Sequence, residues 1–155
     1  MGTRESKLAG LGYPVEKATP EGDLVSALSI DGTTIYASGQ VPFDGDQLVS
    51  QGKVPSEISL EDATTAAALC AANVLRAVYR ELGSLDQVER VLRITGYVNS
   101  DLDFSDQHLV INGASQLVRD VFGEAGRHAR TAIGMAQLPL GSSVEVEMIL
   151  RKVES

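Results

Sequence analysis

Residues 59–83 constrain this chain most. Ser59 and Asp62, three positions apart, form a capping box and Gly83 supplies a stop, so the spacing predicts one long helix over 59–82. Ala63, Ala67, Cys70, Val74, Ala77 and Val78 recur at helical spacing as an apolar stripe, with Arg76, Arg80 and Glu81 available to the wet side. Small residues dominate the stripe, so such a helix can approach a sheet closely.

The flanking segments read as that sheet. Two strands, 24–30 and 33–38, are separated by Asp31-Gly32, a dipeptide favoured in tight hairpin turns. A strand at 90–99 puts Val91, Arg93, Thr95 and Tyr97 on one face and Leu92, Ile94, Gly96 and Val98 on the other. After an acidic turn at 101–106, a second long helix runs over 107–122, with Ile111, Ala114, Val118, Val121 and Phe122 on one side and Gly123 as its stop. Strands at 130–137 and 143–152 close the chain, and in the last Val144, Val146, Met148 and Leu150 alternate with Glu145, Glu147, Ile149 and Arg151.

A short helix over 4–11 and a linker with Pro14, Pro20 and Gly22 divide the chain into an N-terminal segment, 1–23, and a domain, 24–155. The order ββ, α, β, α, ββ argues an α+β fold in which two helices cover one face of a mixed sheet. The other face then needs a cover of its own.

Composition narrows the partners. At 155 residues and net charge −8, the chain can bury a core, but its field repels phosphate backbones, which speaks against nucleic acid. The single cysteine, Cys70, excludes an internal disulfide and fits a reducing compartment. No apolar run approaches membrane-spanning length and the first ten residues are too polar for a signal peptide, so a cytoplasmic protein is expected. No His, Cys and carboxylate set has metal-ligand spacing, no glycine loop is built to cradle phosphate, and Ser38 has no triad around it, so no cofactor or metal is expected.

Arg130 opens what reads as a buried strand, in the run Arg127-His128-Ala129-Arg130-Thr131, and a fixed guanidinium there calls for an anion. The run Ala37-Ser38-Gly39-Gln40-Val41-Pro42, the stretch Asn99-Ser100-Asp101-Leu102-Asp103-Phe104, then His128-Ala129-Arg130, Leu138-Pro139 and Val144-Glu145-Val146-Glu147 occur in an order that resembles the Rid family. These are reactive-intermediate deaminases, also called YjgF-like proteins and, in older naming, endoribonuclease L-PSP. The stretch Val110-Ile111-Asn112-Gly113-Ala114-Ser115, followed by residues 123–130, is similar to a longer sub-branch of that family.

The resemblance implies a chorismate-mutase-like α+β fold, assembled as a homotrimer whose sheets form a central barrel with ligand clefts between subunits. That assembly would cover the second sheet face. It implies hydrolysis of enamines or imines of the 2-aminoacrylate type to 2-keto acids and ammonia. Arg130 matches the carboxylate-binding arginine, its alternative being an intersubunit salt bridge to a carboxylate such as Glu145. Glu145 matches the glutamate that positions or activates water, with Glu147 on the same face as its rival.

Ser38 and Gly39 fall at the substrate-lining turn, where the glycine permits close backbone approach or merely a bend. Asn112 falls near the cleft asparagine, although extra helix residues let the alignment slip, and Ala132 stands where main chain lines the pocket. Leu24 or Val25 replaces a cleft aromatic of the family, and His128 replaces a proline, where it could titrate beside the site or serve as a surface or supporting histidine. His108 and Cys70 read as structural. A non-catalytic trimer that binds a carboxylate metabolite is the alternative, and an endoribonuclease the poorer one.

Overall fold

The computed structural model describes residues 2–17, 20 and 22–154, so positions 18, 19 and 21 of the expected linker lie outside the described residues. In chain order the elements are α1 (Thr3–Gly10), β1 (Leu28–Asp31), β2 (Thr34–Gln40), β3 (Phe43–Asp44), β4 (Gln47–Leu48), α2 (Leu60–Leu82), β5 (Val88–Asn99), α3 (Gln107–Phe122), β6 (Ala129–Met135) and β7 (Val144–Lys152). Five strands form one sheet in the order β1-β2-β7-β5-β6, antiparallel except for the parallel pair β5–β6. This is the mixed α+β arrangement expected, with α3 making the crossover between the parallel strands.

Local chemistry sets the element ends. The Ser59 hydroxyl accepts a 3.0 Å bond from the Asp62 amide at the start of α2, and Gly83 closes that helix at φ 78°. Gly32, at φ 59°, turns the β1–β2 hairpin. The first strand starts at Leu28 rather than 24, because Leu24 and Val25 find nothing to pack on and are 98% and 71% exposed. The short β3–β4 hairpin was not expected; Gly45, at φ 67°, makes its turn.

Helices α2 and α3 lie on one sheet face, against Ile35, Ala37, Val91, Ile94, Val98, Val144, Val146, Met148 and Leu150, all buried. Close approach depends on missing side chains. A Cβ on Gly96 would fall into the Ile111 side chain, and one on Gly113 would fall on the main-chain carbonyl of Thr64, where α2 crosses α3. Cys70 is fully buried among the α2 alanines; burial, then the Glu145 charge, pushes its thiol well above the usual range, so it packs as a small apolar side chain.

Three expectations needed correction. Arg76 does not face water. It is 1% exposed, donating from Nε to the Pro14 carbonyl at 3.0 Å and from Nη1 to Asn73 Oδ1 at 2.8 Å, because the segment after α1 folds over α2 and supplies acceptors. A β-bulge between Val91 and Arg93 moves Val91 onto the core face with Ile94, against strict alternation. Strand β6, expected to be buried, is a sheet edge and only partly covered.

Helix α1 packs on α3. Leu8 is buried, Glu5 Oε1 accepts from Ser84 Oγ at 2.7 Å and from the Leu85 amide at 2.5 Å, and the Arg4 guanidinium lies 4.6 Å over the Phe122 ring. No helix among the described residues is long and apolar enough to cross a membrane.

Candidate active site

Strand register assigns each candidate to a face. Arg130 pairs with Ile94 and Ala132 with Gly96, and those partners lie under the helices, so Arg130 and Ala132 point to the helix side of edge strand β6. Glu145 pairs with Tyr97 and Glu147 with Thr95 on the opposite, uncovered face. That face also presents Tyr36, Ile133 and Ile149, the first two 50% and 39% exposed.

Around Arg130 the structure builds a polar cluster. Nη1 donates to Asn112 Oδ1 at 2.8 Å and to Ser115 Oγ at 3.2 Å, both on α3. Ser115 Oγ lies 2.9 Å from His128 Nε2, and His128 Nδ1 lies 2.7 Å from the Gly126 carbonyl. Among the described residues Arg130 has no acidic partner. Asn112, for which the alignment left the position open, meets Arg130 in the structure.

Around Glu145 the cluster is sparser. A Cβ on Gly39 would collide with its Oε1 and sit 3.1 Å from its carboxyl carbon, so the carboxylate rests on bare backbone that only glycine leaves open. Gly39 and Ser38 lie in a register irregularity of β2 between Ala37 and Gln40, and the Ser38 hydroxyl donates to the Ser26 carbonyl at 2.6 Å. Burial, then the neighbouring Glu147 charge, raises the Glu145 pKa. Glu147 is occupied differently, accepting a 3.0 Å bond from the Tyr97 hydroxyl, whose own pKa is raised by burial and by that bond.

The six candidates thus do not form one group within the chain: Arg130, Asn112 and Ala132 lie on the helix side of β6, Glu145 lies on the open face against Gly39, and Ser38 sits beside Gly39 in the irregularity of β2, bonded to Ser26. The sheet stands between Arg130 and Glu145 within one chain. Sequence reasoning missed Ser115 as a member. It follows Asn112 by three positions, one helical turn, which places both on the α3 face above β6 and was the available signal. Among the described residues no three His, Cys, Asp or Glu side chains gather as a metal site.

Comparison with known proteins agrees with this architecture. The family described as "YjgF/chorismate mutase-like, putative endoribonuclease" matches residues 5–151. Protein TCP17 of Trypanosoma cruzi is 39% identical over 134 residues, 86% of this chain and 83% of its own. Two crystal structures superpose along almost the whole chain. One is Atu1372 of Agrobacterium tumefaciens, a protein of unknown function (39% identity, 97% of this chain and 93% of that one, TM-score 0.90). The other is a "putative endoribonuclease" of Shewanella oneidensis (26% identity, 97% and 99%, TM-score 0.91). With its mixed sheet, two covering helices and edge-strand arginine, the chain belongs to the YjgF-like, endoribonuclease L-PSP family.

Proposed function

We propose that the protein hydrolyses reactive enamine or imine acids to 2-keto acids and ammonia, in clefts between the subunits of a homotrimer. The observation that carries this is Arg130: a partly covered guanidinium whose hydrogen-bond partners, Asn112 and Ser115, are both neutral. An arginine so held keeps its charge for a ligand, and its planar fork suits a carboxylate. Glu145 would act on the reacting carbon. Its carboxylate takes a proton from water as the oxygen bonds to the imine carbon and the C=N electron pair moves to nitrogen. The proton then passes to that nitrogen; the same carboxylate next takes the hydroxyl proton of the carbinolamine and delivers it to nitrogen as the C–N bond breaks and C=O forms, releasing ammonia. A raised pKa suits a group that must both take and return a proton. Free imines already hydrolyse in water, so orientation supplies most of what is needed.

The two half-sites on opposite sheet faces support association, since a second copy could bring its Glu145 group to the first copy's Arg130. The uncovered face, with Tyr36, Ile133 and Ile149, is apolar enough to be buried that way. A binding trimer without catalysis is favoured by one observation. Leu24 and Val25 stand exposed and bring neither ring nor hydroxyl to a cleft. An endoribonuclease would work against a net charge of −8.

The test generates imino acids with an amino acid oxidase and traps survivors with semicarbazide. Wild type should deplete the trapped product, and Arg130→Ala should lose at least about thirtyfold in kcat/KM, the worth of a charged hydrogen-bond pair. Wild type indistinguishable from buffer across small and aromatic imines would remove the deaminase reading and leave the binding trimer.

A further inference from the structure

The contacts behind Arg130 fix their own hydrogens. The Gly126 carbonyl can only accept, so His128 Nδ1, 2.7 Å away, carries the proton. The neutral ring then offers a lone pair at Nε2, and the Ser115 hydroxyl, at 2.9 Å, donates to it. That leaves the Ser115 oxygen to accept from Arg130 Nη1 at 3.2 Å, while the second Nη1 hydrogen goes to Asn112 Oδ1 at 2.8 Å. Both hydrogens of Nη1 are thereby committed.

We propose that His128, acting through Ser115, is a positioning residue for Arg130, holding the Nη1 end of the guanidinium so that its Nε–Nη2 edge is the one presented to a ligand carboxylate. The proposal rests on the carboxylate reading above and adds how the clamp is aimed. One edge of a guanidinium, Nε–H with one Nη2–H, forms two parallel bonds to a carboxylate. Anchoring the other end removes side-chain freedom before the ligand arrives, which is where preorganisation contributes to affinity.

The relay runs in one direction only while His128 is neutral. The charges facing the ring are Arg130 from β6 and Arg119 from α3, and Glu124 in the intervening turn is held by Arg119 at 3.1 Å and Arg127 at 3.7 Å. Burial first, and those two cations after it, keep the ring below its ordinary pKa against the pull of the Gly126 carbonyl. A proton on Nε2 would reverse the Ser115 hydroxyl and set a second positive charge behind Arg130.

Side-chain NMR on the intact protein decides this. The His128 ring nitrogens should report the Nδ1–H tautomer, and exchange of Arg130 Nε–H with water should quicken about tenfold in His128→Ala and Ser115→Ala, roughly one charged hydrogen bond. Ser115→Thr, which keeps the hydroxyl, should exchange like wild type. Pyruvate titrated as the carboxylate probe should bind about tenfold more weakly to the two alanine variants and normally to Ser115→Thr. Unchanged Arg130 exchange in His128→Ala would overturn the proposal, whatever pyruvate does. If exchange follows the expected pattern but pyruvate does not bind wild type, the positioning role stands and the carboxylate reading falls.

Discussion

Alanine at Gly113 should lower the melting temperature by about 5–10 °C, from a loss of about 2–3 kcal/mol. The added Cβ lands on the carbonyl oxygen of Thr64 and 2.9 Å from its carbon, in the main chain of α2. Helical backbone cannot rotate away as a side chain can, so α2 and α3 must separate along the crossing. Overpacking costs about 1–3 kcal/mol and more where the obstacle cannot yield; at about 3–4 kcal/mol against main chain, less the roughly 1 kcal/mol that the better helix propensity of alanine returns, the net loss is about 2–3 kcal/mol. Gly96→Ala is the companion variant, since its Cβ would meet Cδ1, Cγ1 and Cγ2 of Ile111, a side chain rather than main chain, but one that is fully buried and, being β-branched in a helix, has little χ1 freedom. Thermal unfolding of both variants measures the difference, and a Gly113→Ala melting temperature equal to wild type would remove the close-crossing account. Because Gly113 follows Asn112, separation of the helices should also loosen the hydrogen bond to Arg130.

Glu145→Gln should reduce kcat by about 10²–10⁴, the usual contribution of a positioned acid–base group, while leaving KM for the imine nearly unchanged. Stability should move the other way. Burial and Glu147 raise the Glu145 pKa in the folded state, so the native protein binds the extra proton more readily than the unfolded chain does over a window above the ordinary glutamate value of about 4.3. Stability attributable to this residue is therefore present at lower pH and lost as pH rises through the folded pKa. The glutamine variant escapes that loss and should melt slightly higher than wild type at neutral pH. Glu147→Gln should shift the acid limb of the rate profile to lower pH by removing the like charge. Full activity in Glu145→Gln would transfer the acid–base role elsewhere, with Glu147 the first candidate.

Much of the fold could be read in advance because its signals are local. The Ser59 cap and Gly83 stop bound α2 within a residue, and alternation in Val144 to Leu150 placed every core residue of β7. What failed depends on distant chain. The burial of Arg76 follows from a carbonyl of Pro14 arriving over α2, and the edge position of β6 follows from strand order, neither of which periodicity encodes. The Val91 bulge is a register choice between two strands, invisible in one of them. For the candidate site, motif position nominated Arg130 and Glu145 and left Asn112 open, but the faces they occupy could not be read from it. Alternation within each strand is clear, whereas the pairing that relates Arg130 to Ile94 and Glu145 to Tyr97 is a property of the assembled sheet.

The separation of those two side chains by the thickness of the sheet has a genetic consequence. If each cleft of the proposed trimer takes its arginine from one subunit and its glutamate from the next, a chain defective at position 130 and a chain defective at position 145 carry complementary lesions. Coexpressed, the two dead alleles would assemble mixed rings in which one junction joins an intact Arg130 to an intact Glu145. Neither allele would then be simply null, and the phenotype of each would depend on the other allele in the same cell.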